Sequence, residues 1–114
     1  FMTNTLKAIE LAQAHRAWCK ENLPLDESVV AYDLFMLLAA KFTKREPVSV
    51  KIIFVLLPHS YTAVRQHYLR FIKDGWIKCE NNKIDKRIKH IFPTEKFNDA
   101  MNGYIKILNS PHNL

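Results

Sequence analysis

The sequence predicts a mainly α-helical fold that carries one small β-hairpin. Three observations predict it. Apolar residues recur at helical spacing along most of the chain. Pro24, Pro47, Pro58 and Pro93 cut that pattern into separate segments. After Gly75 the period shortens to the alternation of strands. The chain has 114 residues and only two glycines, Gly75 and Gly103, with no Gly/Ser linker, repeat or low-complexity run. A single domain over 1–114 is expected.

The first helix is expected from Asn4 to Glu21, capped by Thr3 or Asn4 and stopped by Pro24. Leu6, Ile9, Gln13, Ala17 and Trp18 trace its apolar side. Asp26 to Ser28 opens a second helix that runs to about Lys44, with Val30, Leu34, Leu37, Leu38 and Phe42 on a broad apolar face. Lys41, Lys44 and Arg45 sit at its end, where cations suit the macrodipole. Pro47 breaks the chain, and Ser49 caps a short helix from Val50 to about Leu56. Pro58 ends that helix. A fourth runs from Ser60 to Asp74, with Val64, Tyr68 and Phe71 as its inward stripe and Gly75 in the left-handed position beyond its end. Strands are expected at 76–80 and 87–92, joined by the polar turn 81–86. Pro93 closes the second strand, and Thr94 caps a last helix to about Asn109, with Phe97, Met101, Tyr104 and Leu108 on one face.

Composition narrows the function classes. Hydrophobic residues make up 48% of the chain and charged residues 25%, enough for a core and unlike a disordered segment. Apolar runs such as Ile52 to Leu57 are too short to span a bilayer, and no secretion leader is read; Phe1, ahead of Met2, is set aside. Formal net charge is +6, and the charge is unevenly placed. Between Lys41 and Lys96 stand thirteen Lys/Arg against five Asp/Glu, a surplus of eight, so the two ends together are slightly acidic. Such a basic middle suits nucleic acid, an anionic membrane or an acidic partner. Cys19 and Cys79 form no disulfide framework, and a reducing cytoplasm is the simplest compartment. His15, His59, His67, His90 and His112 are scattered. His15 and Cys19 stand four apart, half a metal site without a second half, so no metal or cofactor is expected. No catalytic or nucleotide motif occurs, and no enzyme activity is expected.

A short helix, the turn Leu57-Pro58-His59 and a longer helix form a helix-turn-helix, and a hairpin directly after it forms a wing. Ser60-Tyr61-Thr62-Ala63-Val64-Arg65, Asp74-Gly75-Trp76-Ile77, Asp85-Lys86-Arg87 and Thr94 together resemble the bacterial MarR family of transcription regulators, over roughly Asp33 to Phe97. Asp-x-Arg at this spacing is the most specific piece. Trp76 and Pro93 stand where that family usually has leucines.

The resemblance implies a winged helix-turn-helix with N- and C-terminal dimerisation helices: a DNA-binding core at about 29–96 and dimerisation helices at 4–21 and 94–109. It implies a cytoplasmic homodimer on double-stranded DNA, acting as a transcription regulator and, by analogy, a repressor. Ser60, Tyr61, Thr62, Arg65 and Gln66 are the candidates for base edges in the major groove. The other reading is that they are exposed helix residues, with Ser60 a cap. Lys83, Lys86, Arg87 and Lys89 are the wing's candidates for phosphate or minor groove, and Asp85 orders the wing; a salt bridge on a solvated hairpin is the other reading. Lys41, Lys44, Arg45 and Lys51 either add phosphate contacts or form a solvated helix end. Small aromatic effectors sit between DNA-binding core and dimer helices in the family, which leaves room for a small-molecule effector here; Trp18, Phe35 and Tyr104 either line such a cleft or pack in the core. Some relatives sense peroxides through a cysteine, a role open to Cys19 alongside simple burial. Two other functions compete: a winged-helix protein–protein interaction module, and a replication or partition protein of a mobile element. The aromatics form no stacking platform for RNA.

Overall fold

The computed structural model describes residues 2–109; Phe1 and His112 lie outside them. The elements are α1 (Met2–Asn22), α2 (Val29–Thr43), α3 (Val50–Leu56), α4 (Tyr61–Lys73), β1 (Ile77–Asn81), β2 (Lys89–Pro93) and α5 (Glu95–Leu108). This is the expected order, mainly helical with one antiparallel hairpin.

Local chemistry sets the boundaries. Ser28, Ser49, Ser60 and Thr94 have extended backbones, and each side-chain oxygen accepts the amide three residues on, at Ala31, Ile52, Ala63 and Phe97. These are N-caps that satisfy otherwise orphaned donors. Two helices end alike. After α4, Gly75 (φ 79°) donates to Ile72 O and Trp76 donates to Phe71 O. After α2, Arg45 (φ 57°) donates to Phe42 O and Glu46 donates to Lys41 O. Both are Schellman closures, and only the first uses the glycine that the left-handed position favours.

The core gathers around Phe35, which is fully buried. Its ring stacks on Phe97 at 4.5 Å and meets Phe71 and Trp76 edge-on at 6.0 Å each. Leu34, Leu38, Val48, Ile53, Val64, Ile77 and Ile91 complete it. Phe35 therefore belongs to the core and not to a ligand cleft.

Helix α1 departs from expectation in two ways. It begins at Met2, so Thr3 and Asn4 lie within it and cap nothing. Its packed side is Leu11, Ala14, His15, Trp18 and Cys19, while Leu6 and Ile9 are half-exposed and Gln13 and Ala17 face solvent. The packed side meets α5, where His15 Nε2 lies 2.9 Å from the Tyr104 hydroxyl and Trp18 covers Gly103. A Cβ on Gly103 would stand 2.9 Å from the indole, so the absence of a side chain lets these helices approach.

The hairpin is shifted from the expected strands. β1 pairs with β2 from Ile77 opposite Pro93 to Asn81 opposite Lys89. Arg87 and Ile88 leave the strand because Asp85 claims their amides: Arg87 N donates to Asp85 Oδ1 and Ile88 N to Asp85 O. On the far side of β2, Ile91 N donates to Val48 O at 2.8 Å and Ser49 bridges His90. The segment before α3 thus covers β2's free edge, a pairing the sequence did not announce.

The turn between α1 and α2 holds two consecutive left-handed residues, Asp26 (φ 49°) and Glu27 (φ 55°). Helix α4 fastens it. Arg70 Nη2 donates to Pro24 O at 2.7 Å and to His67 Nδ1 at 2.9 Å, and His67 Nε2 reaches Ser28 Oγ at 3.2 Å. Among the described residues, no helix is long and apolar enough to cross a membrane.

Candidate nucleic-acid interface

Helix α4 has two unlike sides. Val64, Tyr68 and Phe71 are buried, which fixes its rotation. Tyr61, Thr62, Arg65, Gln66 and Leu69 consequently face out, since helical residues four apart share a side. The preceding helix and turn hold the start of α4 in place. His59 Nε2 in the turn lies 2.7 Å from Asp33 Oδ2 on α2, and the Tyr61 ring packs on Phe54 of α3 at 4.6 Å. Tyr61 is thus part anchor, although it remains 62% exposed. Ser60 acts as the cap, and that bond uses a lone pair and leaves its hydroxyl proton available. The outward side has no acidic residue, and the helix N-terminus adds its partial positive charge.

The wing stands next to this surface. A cavity of about 370 Å³ lies where they meet, lined by residues that include Arg65, Leu69, Cys79 and Lys89. Tyr68 closes its floor, and burial with the neighbouring Cys79 thiol pushes that phenol well above its ordinary range. Lys83, Lys86, Arg87 and Lys89 are all exposed. The side chains of Arg65, Lys83, Lys86 and Lys89 make no ion pair among the described residues, whereas Lys20, Lys41, Arg70, Lys78 and Arg87 do. Four unpaired cations therefore stand on the outer side of α4 and the wing, while others, among them Lys7, Arg16, Lys44, Arg45, Lys51 and Lys106, lie elsewhere.

Arg87 shows how the wing is ordered. Its Nε and Nη2 each donate to the Asp85 carboxylate at 3.1 Å, and its own amide donates to the same Oδ1. The guanidinium beside Asp85 holds that carboxyl below the usual range. The Arg87 side chain is nonetheless 90% exposed. Two of its five donors are spent on orientation, and the rest of the fork faces solvent.

The remaining candidates separate. Lys41 pairs with Glu46 at 2.8 Å; Lys44, Arg45 and Lys51 are exposed beside it. Both cysteines are free. Cys19 is buried, and burial pushes its thiol up, away from the reactive thiolate. A second cavity, of about 690 Å³, lies between α1 and the turn into α2, lined by His15, Arg16, Lys20, Leu25, Val29 and Tyr32 among others. Of the residues expected to line a ligand cleft, Trp18 and Tyr104 sit at the α1–α5 contact and outside this cavity. Among the described residues, no three His, Cys, Asp or Glu side chains gather as a metal site. Leu69 and Ile84 are exposed apolar residues on this candidate surface that the sequence did not single out. Leu69 reads as another helix leucine, and Ile84 as part of a polar turn.

Comparison with known proteins gives the fold a context. No family model and no curated protein matches the sequence. Solved structures do match. A transcriptional regulator from Thermotoga maritima superposes with a TM-score of 0.65 at 17% identity, over 94% of this chain and 72% of that one. Reduced AbfR bound to DNA gives 0.58 at 19%, over 97% and 76%. A mutant MarR from E. coli complexed with operator DNA gives 0.58 at 14%, over 96% and 75%. This chain has the winged helix-turn-helix fold of MarR-type regulators.

Proposed function

We propose that the protein is a sequence-specific double-stranded DNA-binding transcription regulator of MarR type. The observation that carries this reading is the surface formed by the outer side of α4, which bears no acidic residue, and the wing beside it, where Arg65, Lys83, Lys86, Arg87 and Lys89 are all exposed. Ser60, Tyr61, Thr62, Arg65 and Gln66 would meet base edges in the major groove, with Arg65 suited to guanine and Gln66 to adenine. Lys83, Lys86, Arg87 and Lys89 would hold the backbone and the adjacent minor groove, with Asp85 ordering the wing. Residues 29–96 act as the DNA-binding core. The helices at 4–21 and 94–109 pair two copies, which sets two recognition helices about one helical turn apart. DNA-bound structures among the fold's neighbours support this reading. The cavity beside α1 offers room for a small-molecule effector. A cytoplasmic, non-catalytic role in repression completes the proposal.

The test is fluorescence anisotropy of a labelled duplex, random sequence against native upstream DNA, at several salt concentrations. The expected result is preference for upstream DNA with a steep salt slope, since each neutralised phosphate contributes about −0.9 to log K against log salt. Arg65→Glu and Arg87→Glu should each abolish binding. A second reading has one observation in its favour: Val55 and Leu56 on α3 are exposed by 65% and 48%. Such an apolar edge suits a protein partner, and an interaction module would tolerate both arginine reversals.

A further inference from the structure

We propose that Ile84 is the wing's contact with the minor-groove floor and sets a preference there for A·T over G·C pairs. This rests on the reading of the wing as a DNA element and adds a specificity-determining residue to it. Ile84 is 98% exposed, the most exposed large apolar side chain among the described residues. It does not stand on a loose loop. Asn82 Oδ1 accepts from the amides of Ile84 and Asp85 at 2.8 and 3.0 Å, and Asn82 N donates to Ile88 O at 2.8 Å. Asn81 Nδ2 donates to Lys86 O at 3.2 Å, and Asp85 grips Arg87. The tip closes its own polar groups and presents an isoleucine at its apex, with Lys83, Lys86 and Arg87 on either side. Cations flanking an apolar point match the phosphate walls and the narrow floor of a minor groove, where apolar side chains of architectural proteins insert.

Reach and chemistry agree. A five-residue strand extends roughly 17 Å, and half a turn of B-DNA, from a major groove to the adjoining minor groove, is also roughly 17 Å. In that groove guanine adds an N2 amino group that stands up from the floor, whereas A·T pairs lack it. An isoleucine offers that amino group no acceptor, so contact over G·C leaves a donor unpaired. An anionic bilayer would also attract this cluster, but one isoleucine is a weak membrane anchor, since stable attachment takes two signals.

The test is selection of bound duplexes from a random pool by the full chain, followed by anisotropy on the selected DNA. Wild type should enrich A·T pairs flanking the major-groove half-sites and lose roughly fivefold or more in affinity per flank changed to G·C. Inosine in place of the flank guanine, which removes only the N2 amino group, should restore binding. Ile84→Ser and Ile84→Lys should keep the half-sites and lose the flank preference. Unbiased wild-type flanks, or flanks unchanged in both variants, would overturn the proposal. So would loss of co-sedimentation with phosphatidylserine vesicles in Ile84→Ser while its DNA flanks stay unchanged. Absence of any salt-sensitive duplex binding by wild type is a different result, and it would overturn the DNA reading itself.

Discussion

Asp85 stands where two effects oppose each other. Its carboxylate neutralises part of Arg87, yet it also fixes the arginine and the wing tip. Ordering one side chain before binding saves roughly 0.5–1.5 kcal/mol. If ordering wins, Asp85→Asn weakens DNA binding by roughly two- to twelvefold although it removes a negative charge. Tighter binding in an anisotropy titration would show that neutralisation wins. His67 gives a pH signature of its own. Arg70 can only donate, so the Nδ1 it approaches must accept and Nε2 carries the proton towards Ser28. Burial first, then the Arg70 charge, lowers the His67 pKa from 6.5, and Asp26 offsets them in part. The unfolded chain therefore takes up this proton before the folded one does. The stabilisation is fully present above about pH 6.5 and is lost as pH falls through the lower folded value. Urea midpoints measured between pH 7.5 and 5 should decline for wild type and decline less for His67→Gln.

Helix ends were readable at the level of the element, and helix faces less so. Four capping hydroxyls and Gly75 are local signals, and each marks a boundary within a residue or so of the observed one. The packed side of α1 differs from the expected stripe because its members include alanine, histidine and cysteine, whereas the conspicuous Leu6 and Ile9 are half-exposed. The cover on β2 by Val48 and Ser49 was illegible, since pairing across some 40 residues leaves no periodic trace. For the interface, the outward residues of α4 followed directly from the buried stripe, and Arg87 followed from the Asp-x-Arg resemblance. Ile84 needed the tip's hydrogen bonds. The two Schellman closures make a paired prediction. Arg45→Gly should stabilise the fold by about 0.5–1 kcal/mol, because a left-handed residue other than glycine costs of order 1–2 kcal/mol and glycine's looser unfolded chain offsets part of that gain. Gly75→Ala should destabilise it by about 1 kcal/mol, purely through conformation, as nothing lies within 4 Å of the new methyl. Thermal melts should separate the variants from wild type in opposite directions, by roughly 4–8 °C per kcal/mol.

The whole molecule measures 55 × 26 × 24 Å with a radius of gyration of 16.0 Å, against about 13 Å for a globule of this length. Helix α1 reaches α5 with its C-terminal half and leaves Leu6 and Ile9 half-exposed. A second copy covering those residues together with Ile105 would account for the shape. Light scattering across micromolar concentrations should give twice the chain mass; a single-chain mass throughout would sink the homodimer. Gly103→Ala should push Trp18 off α5 and weaken that assembly, seen as a rise in the monomer fraction at the same concentration.

One small joint has a consequence for how such an assembly works. The Thr94 hydroxyl lies 2.6 Å from Gly75 O and 2.8 Å from Trp76 O, and Lys96 reaches back to Asp74 O at 3.0 Å while its ammonium sits 4.5 Å above the Trp76 ring. The end of α4, the root of the wing and the start of α5 are thereby pinned to one another with no slack segment between them. In mechanical terms α5 is the handle and the α4–wing unit the jaw. A tilt imposed on the handle would then reach the jaw as a change of angle.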